Sequence, residues 1–136
     1  MTVNNPQIPD KLQQDNVSEQ KYFYLCVPEA IQKVCDEELV HEMLLMLNGS
    51  IENDWSEFEN HLNKHEYSLA AHTLHGMKGT IPIFSDKKTD DAIQQTEVLL
   101  RQNEINAIEL KNAVDILRFQ MTGFIAELKC WADSLN

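Results

Sequence analysis

The chain has 136 residues, 43% of them hydrophobic, and a formal net charge of −11. That length suits one compact domain, and the apolar fraction is that of a globular chain rather than a disordered one. The acidic balance excludes nucleic acid and anionic membrane surfaces as favoured partners, and no apolar run approaches the ~20 residues of a membrane span.

Residues 1–17 are polar, carry Pro6 and Pro9, and show no periodicity. They read as a flexible N-terminal tail without the layout of a signal peptide, so the folded domain is expected over 18–136. A short helix is expected from Ser18, with Tyr22, Phe23 and Leu25 on its apolar face. Pro28 suits the first turn of another short helix. From Asp36 the apolar residues Val40, Leu44, Leu47, Ile51, Trp55, Phe58 and Leu62 recur at steps of three and four, which is one stripe on a long helix. Asp36, Glu37 and Glu38 suit its start as cap and first-turn acids.

A helix over roughly 67–81 follows, with Ala70, Leu74, Met77 and Ile81 as its buried stripe, and then one over roughly 86–102, opened by Ser85 and Asp86. The last helix alternates steps of four and three from Leu110 through Val114, Leu117, Met121, Phe124, Leu128 and Trp131 to Leu135. Asn106 and Glu109 resemble a capping box at its start. Trp55 and Trp131 are expected in the core. Nothing alternates with period two. The expected fold is therefore all-α: an antiparallel up-down-up-down four-helix bundle preceded by one or two short helices. Cys26, Cys35 and Cys130 form no CxxC pair, so neither a disulfide framework nor a zinc ribbon is indicated, and a reducing, cytoplasmic setting is expected.

The helix near 67–81 holds the densest chemistry. In Leu74-His75-Gly76-Met77-Lys78-Gly79-Thr80 an imidazole, a lysine three residues on and a glycine four residues on share one helical face. A nucleophile thus stands beside a positive charge and a bare patch of main chain. Glycine inside a helix costs about 1 kcal/mol relative to alanine. Two of them here imply that something approaches the backbone closely. The ammonium of Lys78 would favour the neutral, nucleophilic imidazole and offset charge on a transferring phosphoryl group. The register puts His72 almost opposite the core. Were His72 the reactive residue with the same local layout, Lys78 would fall at a core position, at the cost of burying an ammonium.

The run His75-Gly76-Met77-Lys78-Gly79-Thr80 resembles the H-x-[apolar]-K-G-[S/T] signature of histidine phosphotransfer (HPt) domains of bacterial phosphorelays. Tyr67, Glu66 and Glu97 stand at matching distances, and the resemblance spans about 100 residues from Asp36 onward. It implies that His75 accepts a phosphoryl group from a receiver-domain aspartate and passes it to another receiver. It further implies that Lys78 stabilises the phosphoryl charge, that Gly79 admits the receiver, and that His72 and Gly76 lie in the partner-binding face. The implied partners are response-regulator receivers and a hybrid sensor histidine kinase. Leu74 departs from the family's usual alanine, Ile81-Pro82 from its small residues, and Ser85 from its glycine; Pro82 should kink or end the helix.

No P-loop or Gly-rich nucleotide loop is present, so a carrier without kinase activity is expected. It needs no cofactor of its own, and Mg²⁺ would come from the receiver. The docking face should be a shallow, partly apolar patch from the His75 helix and the long helix before it. Two rival readings remain: a metal site built from His61, His65, His72 and His75, paired at i,i+4 and i,i+3 on successive helices, and a receiver-binding scaffold that holds no phosphate.

Overall fold

The computed structural model describes residues 22–135. The tail expected over 1–17 and the helix start expected at Ser18 lie outside them. Among the described residues six helices follow one another: α1 Val27–Val34, α2 Glu37–Asn63, α3 Tyr67–Lys78, α4 Ile81–Phe84, α5 Lys87–Leu100 and α6 Ala107–Asp133. Among the described residues the β geometry is a single isolated bridge, Leu25 to Ser85.

The caps read from the sequence hold the helix starts. Asp36 accepts the N–H of Leu39, Asp86 that of Thr89, and Asn106 those of both Ile108 and Glu109. Each satisfies backbone donors that a helix start leaves unpaired. Two left-handed residues make the sharp reversals: Cys35 after α1 and His65 after α2. A hydrogen bond of 2.8 Å between His61 Nδ1 and Glu66 Oε1 closes the second turn.

Helices α2, α3, α5 and α6 form a closed ring of neighbours, α2 against α3, α3 against α5, α5 against α6 and α6 against α2. Ion pairs Glu59–Arg118 and Glu52–Lys129 show that α2 and α6 run in opposite directions. The buried bonds from Thr89 to Gln120 and from Thr96 to the Ala113 carbonyl show the same for α5 and α6. The predicted stripes face inward: Val40, Leu44, Ile51 and Phe58 on α2, Leu74 on α3, and Leu117, Met121, Phe124 and Leu128 on α6 are fully buried. No helix among the described residues is long and apolar enough to cross a membrane.

Four expectations need correction. The helix expected over 67–81 ends at Lys78 and restarts as α4 at Ile81, with Pro82 in the first turn. Pro82 has no N–H to give the Lys78 carbonyl, so the ladder cannot continue. Residues 22–26 are not helical, bending at Phe23 and Tyr24 with an isolated bridge at Leu25, and of their apolar residues Leu25 is buried while Phe23 is 82% exposed. Trp55 is only half-buried, stacked on Phe58 with ring centroids 5.1 Å apart. Leu135 falls beyond the end of α6 and is exposed, which takes it out of the seam.

Candidate functional site

Helix α3 presents the candidate residues because its opposite face is committed to the core. Ala70, Leu74 and Met77 are buried, and this register turns His72, His75, Gly76 and Gly79 outward. The side chain of His75 is 64% exposed and that of Lys78 35%. Lys78 therefore lies lower on the surface than its position beside His75 suggested.

The residue that organises them comes from α5. His75 Nδ1 lies 2.8 Å from Glu97 Oε2, Lys78 Nζ 3.6 Å from Oε1, and Arg101 Nε 3.1 Å from Oε2. The Glu97 side chain is only 9% exposed. Burial alone would raise its carboxyl. Hydrogen bonds from Arg101 and His75, with the charges of His75 and Lys78, outweigh burial and hold it below the ordinary glutamate range. A carboxylate can only accept, so Nδ1 must carry the proton and donate it. The lone pair of the neutral ring is thereby placed on Nε2, and the exposed ring presents that atom outward. Oε1 of Glu97 is buried without a hydrogen-bond donor, with Lys78 Nζ 3.6 Å away.

The glycines answer to no internal demand. Neither has a positive φ. A Cβ at Gly76 would meet nothing within 4 Å, and one at Gly79 would only touch the Gly76 carbonyl at 3.4 Å, an ordinary contact. Beside Gly76 a groove of about 410 Å³ opens between α2 and α3. Met43, Met46, Ser50 and Asp54 line it on one side and Gly76 and Thr80 on the other. Met46 is 75% exposed. A shallow, partly apolar surface from the helix of His75 and from the long helix before it is thus present on the α2 side of α3, while the imidazole itself is bonded to Glu97 of α5.

Sequence reasoning gave Glu97 no structural role and missed Arg101. A signal existed: Glu97 stands one helical turn after Ile93, on the apolar stripe of α5, with a cation four residues later. An acid in a core register needs partners, and two of them came from α3, which α5 alone does not reveal.

The four-histidine metal site does not form. His61 is bonded to Glu66 and His75 to Glu97, and among the described residues no three His, Cys, Asp or Glu side chains converge as metal ligands. His72 is exposed and takes no part in the Glu97 cluster. Comparison with family models, with curated proteins and with solved structures gives no match to this chain.

Proposed function

We propose that the chain is a phosphoryl carrier of the histidine phosphotransfer type, with His75 as acceptor and donor and receiver domains as its partners. The observation that carries this reading is the pairing of His75 Nδ1 with the buried Glu97 carboxylate, which leaves a nucleophilic Nε2 on an exposed ring. Surface histidines are mostly solvated without a task. This one is oriented by a buried acid, flanked by two cations and bordered by two glycines that the fold itself does not need.

The chemistry balances without a cofactor held by this chain. Nε2 attacks the phosphorus of an aspartyl phosphate; the N–P bond forms as the P–O bond to the aspartate breaks, and the carboxylate leaves with its electron pair. The ring becomes cationic while Nδ1 keeps its proton, and Glu97 offsets that charge. Lys78 and Arg101 flank the Glu97 carboxylate beside the ring, and their charge would favour a transferring group brought near them. The return step is the same sequence reversed. The single carboxylate beside His75 is already engaged by three basic side chains, so these residues do not fit a divalent cation. The Mg²⁺ that such transfer uses would belong to the receiver. The groove beside Gly76 gives the receiver an apolar foothold, and the glycines let its loop reach the main chain.

Incubation with a phosphorylated receiver tests the proposal. The chain should take up phosphate that is stable in base and lost in acid. His75→Gln should abolish the label and His72→Gln should leave it. Labelling that survives His75→Gln, or receiver binding without any label, overturns it; the second result would mark a scaffold that holds no phosphate.

A further inference from the structure

The segment ahead of α1 is tied down by a side chain on one edge and by one isolated bridge on the other. The Glu127 carboxylate of α6 accepts three consecutive backbone N–H groups: Phe23 at 2.9 Å, Tyr24 at 2.7 Å and Leu25 at 3.0 Å. The Tyr24 ring lies over Gly123, where a Cβ would collide with it, and meets Phe119 edge-on at 6.3 Å. Leu25 enters the core. Burial, then Cys130 and Glu127, pushes the Tyr22 hydroxyl up to about 12, so it stays protonated.

The same residues grip a second element. Cys26 donates its N–H to the Phe84 carbonyl at 2.7 Å, and Asp86 donates to the Tyr24 carbonyl at 3.0 Å. These two bonds bracket Ser85, the joint between α4 and α5. Residues 22–26 therefore bind α6 with one edge and the start of α5 with the other.

Asp86 is also the N-cap of α5, its side chain accepting the Thr89 N–H at 3.0 Å. Glu97 stands farther along that helix, about 16 Å from Asp86 at ~1.5 Å per residue. A helix transmits axial displacement, so what holds Asp86, together with the Thr89–Gln120 and Thr96–Ala113 contacts to α6, sets where Glu97 arrives. Glu97 must arrive within hydrogen-bond reach of His75 Nδ1, and that bond tolerates only a few tenths of an ångström before it weakens.

We infer that residues 22–26 are a positioning strap: by fixing the start of α5 they hold Glu97 against His75, and lifting the strap loosens that hydrogen bond. The inference concerns the geometry of the imidazole and stands whether or not His75 carries phosphate.

The full chain with Gly123→Ala tests it. The new Cβ displaces the Tyr24 ring, while alanine favours the α6 helix, so the strap is lifted without weakening its support. Two readouts are needed: hydrogen exchange of the amides of residues 23–26 and 86, and the ¹⁵N shifts of the imidazoles at a pH where the rings are neutral. The expected result is at least tenfold faster exchange at those amides with unchanged helical circular dichroism. The His75 nitrogens should move from the pure Nδ1–H tautomer toward a mixture, while those of His72 stay put. Glu127→Gln keeps one acceptor oxygen for Tyr24 and Leu25 and should give an intermediate spectrum. Should Gly123→Ala not fold, Tyr24→Ala carries the same two readouts. Faster amide exchange with an unchanged His75 tautomer overturns the inference, as does unchanged exchange. Equal movement of His72 also overturns it, because that marks general loosening.

Discussion

Replacing Glu97 by glutamine removes one charge and no volume, and it isolates what the carboxylate contributes. In the wild type that carboxylate faces His75, Lys78 and Arg101. Hydrogen bonds to a charged group are roughly twice as strong as neutral ones. All three partners are partly in water, however, so each contact is worth about 0.5 kcal/mol rather than the 1.5–3 kcal/mol of a buried charged bond. Three such contacts give a loss of about 1.5 kcal/mol at pH 7, or roughly 5–8 °C in thermal midpoint for a domain of this size. The folded carboxyl titrates below its unfolded value of about 4.3. Its stabilisation is therefore complete above that pH and disappears as the pH falls through the lowered folded value. Thermal or urea unfolding of both proteins between pH 7 and pH 3 should show a gap that is constant near neutrality and narrows in acid. A gap that persists undiminished in acid would mean that shape rather than charge matters. No gap at pH 7 would refute the claim that Glu97 organises the cluster.

Lys78→Ala should slow phosphate transfer from a receiver by about tenfold, equivalent to ~1.4 kcal/mol of barrier, with the fold intact by circular dichroism. Gly76→Ala should raise stability by up to about 1 kcal/mol, since the site is a helix interior with open space around it; a fall in the midpoint would show that the glycine serves the fold. Gly79→Leu should leave the fold stable and block receiver docking in a pull-down or titration, and unchanged transfer by that variant would remove the access argument. Arg118→Ala, which breaks the bidentate pair between α6 and Glu59 of α2, should cost about 1 kcal/mol in urea unfolding without altering labelling of His75.

The bundle was legible because its signals are repetitive. The stripes of α2 and α6 each supply many residues that vote for one period, so single exceptions such as the half-buried Trp55 do not disturb them. The end of α3 was half legible. Pro82 announced a break, but whether the chain would bend or restart depended on α4 packing against α1 and α5. The strap was misread because Tyr22, Phe23 and Leu25 mimic a helical face in isolation. The backbone donors of Phe23, Tyr24 and Leu25 are claimed instead by Glu127, more than a hundred residues away. Arg101 escaped for a related reason: on α5 alone, Glu97 and Arg101 look like an ordinary surface pair at i,i+4. The exposed His75, with Gly76 and Gly79 beside it, followed directly from the register of Ala70, Leu74 and Met77.

The charge of the whole chain and the charge of the site have opposite signs, and that opposition shapes how the site can work. A net charge of −11 repels an acidic partner at long range. Around His75, two cations face one carboxylate and leave a small positive excess. Salt at about 0.1 M screens the global field beyond roughly 10 Å, but it screens less between groups in contact across a forming interface. A phosphoryl group is therefore favoured only once it lies within a few ångströms of Lys78 and Arg101, where a docked partner would place it. The long-range field then opposes free anions as much as it opposes the partner. Under the proposed function a receiver would be distinguished by apolar contact at Met46 and the groove beside Gly76, which a small phosphate ester cannot make. On that proposal selectivity would reside in that groove, and His75 with its three polar neighbours would supply reactivity common to any phosphoryl donor that reaches it.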